Sequence, residues 1–416
     1  VSRRAEVALL VAASALPRLL VLFARRGEIL ESFTEKSDDV ARVFVATGTF
    51  GFVPGQPSAY TQPLYAFFLV PLYAIDRHWL VVGLAQTAVA AITALVVYTI
   101  GSRCLSRRAG LAAGLIATLS PYLIWHDVHV NREVLDGLAA ALVVLTALWL
   151  GERPTAARGI VAGLACGGAV LGNARLVLLP LIVAGFALWQ ARRAALVPAV
   201  LVLAGTVLAI VPWVVRNEVK VGCAAITTDA RALWKANNLA TFDILANGGW
   251  IDDVPNIPGT PITPQDAGAL YASTGQVVDL DECEQMRFYQ NRVEEFWREH
   301  PGEKARLAAQ ATWMLWDPRV SPRSERSPGA GTWLDVARSW FVPLYVVPLV
   351  ALAIAGARRL PRPLLVLVVA LLVYLTLAAM LFAGATRYRV PFDFLLALAA
   401  APAVIAILDR LRERRR

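Results

Sequence analysis

Separated stretches of the 416-residue sequence place carboxylates and guanidinium groups beside long apolar runs. Glu35, Asp38 and Asp39 follow the first such run. His126, Asp127, His129 and Glu133 precede another, and Asn173 and Arg175 sit at a short polar break. Arg216 and Asn217 end a further run, and Arg387, Tyr388 and Arg389 come just before the last. Charges this close to hydrocarbon are costly unless they are paired, hydrated or used. A carboxylate can take a proton from a hydroxyl or orient an amine, while a guanidinium holds a phosphate leaving group. Acids and arginines contributed by different loops therefore suit group transfer at a membrane interface. Asp38 or Asp39 is the expected base, Glu35 is a further candidate, and Glu133 is a second acid. His126, His129 and Glu133 are spaced i, i+3 and i+7, so a continuous helix would align them on one face. That set is compatible with a divalent metal ion, and equally with hydrogen bonding around Trp125. No cofactor is required by the pattern. Arg387 and Arg389 flank Tyr388 and would point to different sides of a helix, so one of the two is expected to meet a ligand. Arg18, inside the first apolar run, either snorkels or pairs with Glu28 or Asp393.

The elements that must position these groups are membrane helices. The chain is 57% hydrophobic and 17% charged, with a mean hydropathy of +0.56. A soluble domain is about 45–50% apolar and about 25% charged. Apolar stretches long enough to cross a bilayer recur at roughly 6–24, 79–100, 109–125, 133–150, 159–172, 176–190, 195–213, 340–356, 363–383 and 390–408. The expected fold class is an all-α polytopic membrane protein with about ten spans. The segments 159–172 and 176–190 are short for full crossings, so one of them is a candidate broken or re-entrant helix. The run at 7–23 lacks a small-residue cleavage site and reads as an uncleaved first span.

The net charge of +9 does not point to nucleic acid, because the basic residues sit mainly at helix ends. Arg3, Arg4, Arg103, Arg107, Arg108, Arg153, Arg158, Arg192, Arg193, Arg358, Arg359, Arg362 and the arginines at 410–416 would share one side, opposed there only by Glu152, Asp409 and Glu413. This asymmetry predicts both termini in the cytoplasm. The segments 25–63, 125–133 and 214–339 then lie outside. The chain divides into a transmembrane module at 1–213, an external region at 214–339 and C-terminal helices at 340–416. Within the external region, 252–266 reads as turns, the stretch from Asp279 offers a capped helix, Pro301 starts another that runs to about Trp316, and 319–331 reads as a linker. Cys223 and Cys283 fall where a disulfide is chemically permitted. They are read here as two free thiols, since sequence does not fix their Cα separation.

Several words along the chain have the order and spacing of one family. They include VARVFVATGTFGFVPGQPSAYTQPLYAFFL at 40–69, NREVLDGLAAALVVLTAL at 131–148, VLGNARLVLLPLIVAG at 170–185, VPWVVRNEVKVG at 211–222 and ATRYRVPFDFLLALAAAP at 385–402. On these the chain resembles the bacterial GT-C glycosyltransferases of the protein O-mannosyltransferase and lipid A aminoarabinose transferase superfamily. The resemblance implies a polyprenyl-phosphate sugar donor, transfer outside the cytoplasmic membrane, and an acceptor that is a glycan, lipid or protein. It carries the first-loop acid onto Ser37-Asp38-Asp39, the second-loop acid onto Glu133, the basic turn onto Asn173-Ala174-Arg175 and the donor-phosphate motif onto Arg387-Tyr388. Arg216 is an expected helper at the phosphate, and Glu35, Tyr60, Gln62 and Asn217 are expected substrate contacts. Thr61-Gln62-Pro63 departs from the family's Arg-Pro-Pro by losing a charge. The competing readings are a lipid-linked saccharide transporter or flippase, which needs no poised acid, and a non-catalytic scaffold for envelope assembly.

Overall fold

The computed structural model describes residues 2–31, 35–320 and 333–414, and apart from one bridge between Val53 and Gln56 their regular structure is helical. The linker expected at 319–331, beyond residue 320, and the last two arginines lie outside the described residues. In chain order the helices are α1 (Arg3–Ala24), α2 (Lys36–Thr47), α3 (Pro63–Ile75), α4 (Trp79–Cys104), α5 (Arg107–Thr118), α6 (Pro121–His126), α7 (Glu133–Glu152), α8 (Ala156–Gly172), α9 (Leu179–Ala191) and α10 (Leu196–Val221). There follow α11 (Ala230–Lys235), α12 (Thr241–Ala246), α13 (Pro264–Thr274), α14 (Glu282–Glu299), α15 (Pro301–Trp316), α16 (Trp333–Ala357), α17 (Arg362–Leu381), α18 (Thr386–Arg389) and α19 (Asp393–Glu413).

Among the described residues, seven helical segments are long and apolar enough to cross a membrane, not the ten expected. The reasons are local. The stretch 109–125 breaks at Ser120-Pro121 into α5 and α6, because proline cannot continue the preceding helix. The helix α8 has only 17 residues. The segments expected at 176–190 and 195–213 lie in one apolar stretch of 48 residues, Ala174–Val221, interrupted by a 3-10 turn at Arg192–Ala195. Large apolar side chains such as Leu16, Leu20, Leu208 and Ile354 stay exposed along these helices, as a lipid-facing surface requires.

One end of the bundle is fixed by charge. Glu6 pairs with Arg107 at 2.6 Å, Arg108 with Asp409 at 2.7 Å and Arg103 with Glu152 at 2.8 Å. These contacts put the start of α1, the α4–α5 turn and the end of α19 at the same face. The core joins α4, α5, α7, α8, α9, α10, α16, α17 and α19 through Ala, Val and Leu side chains such as Ala141, Val144, Val202, Leu367 and Leu398. The α8–α10 seam depends on small residues. A Cβ on Gly163 would lie 2.3 Å from the Val202 carbonyl oxygen, and one on Gly159 2.5 Å from that of Pro198. Close backbone approach of this kind replaces the hydrophobic drive that lipid removes.

The helices α11–α15 gather at the other end. Ala236, Leu245, Trp250 and Ile251 pack on Ala383 and Ala385 in the α17–α18 turn. Lys304 donates to the carbonyls of Met380 and Leu381 at the end of α17. Asp281 caps α14 by accepting from the Glu284 amide, as the Asp279 stretch predicts. Cys223 and Cys283, read above as free thiols, form a disulfide with a Cα–Cα distance of 5.6 Å, because the end of α10 and the start of α14 meet there. Substituting Gly163→Leu is expected to pry α8 from α10, visible as a lower apparent Tm in detergent and as aggregation on gel filtration. Gly168→Leu, whose Cβ meets nothing within 4 Å, should leave both unchanged.

Candidate active site at a carboxylate–arginine cluster

The site begins with how its backbone is broken. Glu35 is the N-cap of α2 but makes no capping bond with its side chain, so its carboxylate is left for other partners. At the far end, Gly48 closes α2 with φ 74°, the left-handed cap glycine favours. Arg132 occupies the N-cap of α7, and Glu133 and Asp136 fill its first turn, where acids suit the helix dipole. Asn173 ends α8 and accepts from the Arg175 amide, which starts the 3-10 turn Ala174–Leu176. Arg387 and Tyr388 lie on the short helix α18 before the last span.

These breaks converge. Glu133 Oε1 accepts from both Nε and Nη2 of Arg387 at 2.9 Å. Glu35 Oε1 lies 3.4 Å from Arg132 Nε and 3.9 Å from Arg387 Nη2. Arg132 also lies 3.7 Å from Asp136 Oδ2 and donates to Gln62 Oε1 at 2.9 Å. Asn173 donates to Asp136 Oδ2 at 3.1 Å. The guanidinium of Arg175 stacks 3.7 Å above the Tyr388 ring and 5.1 Å from that of Phe382. Its carbonyl accepts from the Tyr374 hydroxyl at 2.6 Å. Among the described residues, Arg175 has no carboxylate within ion-pair distance, whereas Arg132 and Arg387 are both paired.

Other expected site residues go elsewhere. Asp38 is buried and ion-pairs with Arg77 at 3.0 Å and Arg42 at 3.3 Å, and it accepts from the Tyr73 hydroxyl. Asp39 is 40% exposed and pairs with Arg42. Arg216, expected at the phosphate, donates to the carbonyls of Ser58 and Phe50 at 2.8 and 2.9 Å and does not join Arg387. Asn217 accepts from Arg216 and donates to the Ala225 carbonyl. Tyr60 is buried in an aromatic group with Phe50, Phe52 and Trp213, under the ammonium of Lys36. Lys36 in turn pairs with Asp229. Burial alone would raise the Asp229 carboxyl, but Lys36 and the Ala232 amide outweigh it and hold it below its ordinary value. Arg389 is fully buried, pairs with Asp393 at 3.1 Å and donates to the Leu315 and Asp317 carbonyls, so it anchors α18–α19 to α15. Arg18 pairs with neither Glu28 nor Asp393 but with Asp127, at 2.7 Å.

The histidines do not share a helix face with Glu133, because α6 ends at His126 and α7 begins only at Glu133. His126 stacks on Tyr122 with centroids 4.1 Å apart and its Nε2 faces Arg338 at 2.5 Å. His129 Nδ1 meets the Trp125 carbonyl at 2.8 Å. A guanidinium against His126 and separate partners for the other two do not fit a shared metal ion. Among the described residues no group of three His, Cys, Asp or Glu side chains is arranged to hold one.

Sequence reasoning passed over Arg132 and Asp136. Both carried a signal: an arginine and an acid four apart at the mouth of a span, where unpaired charge is not tolerated.

With the geometry in hand, comparison with solved structures decides the architecture. The oligosaccharyltransferase of Archaeoglobus fulgidus in its apo form superposes with a TM-score of 0.57 at 14% identity, over 99% of this chain and 51% of that one. The fold is of the GT-C type. The archaeal oligosaccharyltransferase AglB from the same organism, in complex with an inhibitory peptide and a dolichol-phosphate, overlaps with a TM-score of 0.54 at 13% identity, over 98% and 51% of the two chains. The chain thus spans about half the length of these two solved chains. A family model described as dolichyl-phosphate-mannose-protein mannosyltransferase matches residues 57–215, less than half of the chain. That part of the GT-C fold includes Gln62, Arg132, Glu133, Asp136, Asn173 and Arg175 and leaves out Glu35 and Arg387. No curated protein matches the sequence.

Burial, the Arg338 guanidinium and His129 push the His126 imidazole well below its usual 6.5. A depressed histidine is neutral in the fold, so its contribution to stability is complete above the unfolded value of about 6.5 and is lost as pH falls toward the folded value. The apparent Tm should fall as pH is lowered from about 7 to about 5. His126→Gln should be less stable at neutral pH but flatter across that range, and thermal melts of both proteins measure the difference.

Proposed function

We propose that the chain transfers a sugar from a polyprenyl-phosphate donor to an acceptor, with inversion at the anomeric carbon. The observation that carries this reading is Arg175: a guanidinium held flat on Tyr388, with no carboxylate of its own, beside the Arg387–Glu133 pair. An arginine without an acid partner at a membrane mouth is a ready phosphate site. The donor phosphate would sit between Arg175 and Arg387, with its lipid tail in the bilayer. On binding, the phosphate shares Arg387 with Glu133, which keeps the guanidinium in place.

Glu35 is the base this geometry favours. Its carboxylate lies 3.4 Å from Arg132 and 3.9 Å from Arg387, whereas Asp38 is held by Arg77, Arg42 and Tyr73 and Asp39 faces outward. Glu35 takes the proton of the acceptor hydroxyl, the acceptor oxygen bonds the anomeric carbon, and the bond from that carbon to the phosphate oxygen breaks. The electron pair stays on the phosphate, where Arg175 and Arg387 stabilise the added charge. Gln62, held by Arg132, would touch the acceptor or the sugar.

The cluster is read as lying outside the cytoplasmic membrane of a bacterium. The Cys223–Cys283 disulfide needs an oxidising compartment, and the opposite face carries the arginine-rich ends of α1, α4, α5 and α19. A transporter would share the cationic site but would leave the sugar–phosphate bond intact.

Purified protein given a defined polyprenyl-phosphate sugar should release polyprenyl phosphate. Arg175→Ala and Arg387→Ala should each lower turnover by about 100-fold or more. Glu35→Gln should lower it by about 100- to 10,000-fold with little change in donor binding, while Asp39→Asn stays near wild type. Full activity of Glu35→Gln, or movement of intact donor across vesicles without release of lipid phosphate, would rule the scheme out.

A further inference from the structure

A second buried ion pair lies behind the cluster. Arg18 Nε and Nη2 donate to Asp127 Oδ2 at 2.9 and 2.7 Å, and Nη1 donates to the carbonyls of Ser14 and Thr118 at 3.0 Å. Every one of these bonds to Asp127 uses Oδ2. Its Oδ1 is buried with no hydrogen-bond partner among the described residues. Glu133 is divided in the same way. Its Oε1 takes both bonds from Arg387, and its Oε2 is buried with no hydrogen-bond partner among the described residues. The side chains of Asp127 and Glu133 are each about 3% exposed. Both line one cavity of about 40 Å³ together with Arg18, Thr93, Thr118 and Gly137, and the rest of its wall is apolar.

The chemistry of this lining narrows its occupant. Arg18 balances Asp127 and Arg387 balances Glu133, so the cavity calls for hydrogen-bond donors without net charge. A cation would meet Arg18, and an anion would meet two carboxylate oxygens. Water donates two hydrogen bonds, and a cavity of this size holds about two or three molecules. Two buried carboxylate oxygens without donors would otherwise bear the full desolvation penalty of unsatisfied polar groups.

We propose that the cavity binds a small ordered water cluster bridging Asp127 Oδ1 and Glu133 Oε2, and that through it the Arg18–Asp127 pair positions Glu133 against Arg387. Asp127 is then a positioning residue, one step removed from the donor phosphate. The water site stands on geometry alone, while its effect on turnover rests on the transferase reading above.

Gly137 provides the test. It lies one turn after Glu133 on α7, and a Cβ there meets only Pro391 backbone atoms at 3.8 and 3.9 Å, so alanine fits while filling part of the cavity. A cryo-EM map of the full chain in nanodiscs, at a resolution that shows other buried waters, should show density bridging Asp127 and Glu133 in the wild type and not in Gly137→Ala. Gly137→Ala should lower kcat about tenfold with donor KM within about twofold, since only the orientation of Glu133 changes. Gly137→Ser, which returns a hydroxyl to the same place, should recover most of that loss. A wild-type cavity without density, or a Gly137→Ala protein with unchanged kcat, overturns the proposal. Bridging density in a protein that releases no lipid phosphate keeps the water site and removes the transferase reading instead.

Discussion

The contact on which the site depends is the pairing of Arg387 with Glu133, extended through Glu35 to Arg132 and Asp136. Its members come from the start of α2, the start of α7 and the short helix α18, parts of the chain that share no local reason to meet. Removing one partner from a buried pair costs about 3–5 kcal/mol, because the other charge stays behind without compensation. That penalty makes the mutual position of these three segments all-or-none. The bundle brings α7 and α19 close enough for the pair to form, and the pair then holds the breaks between helices in register. Without it, Glu35 would be one of several acids on a loop and Arg387 one of several arginines beside a span.

Placed against this balanced network, Arg175 stands out by having an aromatic partner in place of an acid. Stacking on Tyr388 orients the guanidinium without neutralising it, which is why the proposed donor phosphate is assigned to Arg175. The same tyrosine lies 5.6 Å under Arg387 and 6.1 Å from Trp250 of the region after α10. One ring therefore links both candidate phosphate ligands to that region, and a change in how Trp250 packs would reach both guanidinium groups at once.

Much of the architecture was legible because bilayer chemistry writes it into the sequence. Apolar length marked α1, α4, α7, α17 and α19, and arginine placement grouped the ends of α1, α5 and α19 at one face, where Glu6–Arg107 and Arg108–Asp409 now join them. The span count went astray where length alone was the guide. Ser120-Pro121 divides one apolar run, and the Arg192–Ala195 turn lies within another. At the site, sequence singled out Arg387, Arg175, Glu133 and Glu35 as polar groups at one depth. It ranked Asp38 and Asp39 above Glu35 without access to what separates them, which is partners remote in sequence: Arg77 and Tyr73 for Asp38, Arg132 and Arg387 for Glu35. The disulfide was hidden for the same reason, with 60 residues separating cysteines that the meeting of α10 and α14 brings together.

The region after α10 does more than cover this end of the bundle. Arg216 holds the Phe50 and Ser58 carbonyls, the Thr228 amide donates to the Ala59 carbonyl, and Glu282 Oε2 accepts from the Ala59 amide and the Thr228 hydroxyl. The Cys223–Cys283 bridge ties those same two elements to each other, so the strand of chain at 50–60 is gripped from both sides. Two residues later Gln62 reaches Arg132, one bond from Glu35. The short helix α18 and the Asn173–Arg175 turn, beside α7, carry the two arginines proposed to hold the donor phosphate. The segment that approaches from the other side is held by α10, α14 and the turns between them. Substitutions in those turns then move Gln62 relative to Glu35 while leaving Arg175 and Arg387 in place; under the transferase proposal, that would separate choice of acceptor from handling of the donor.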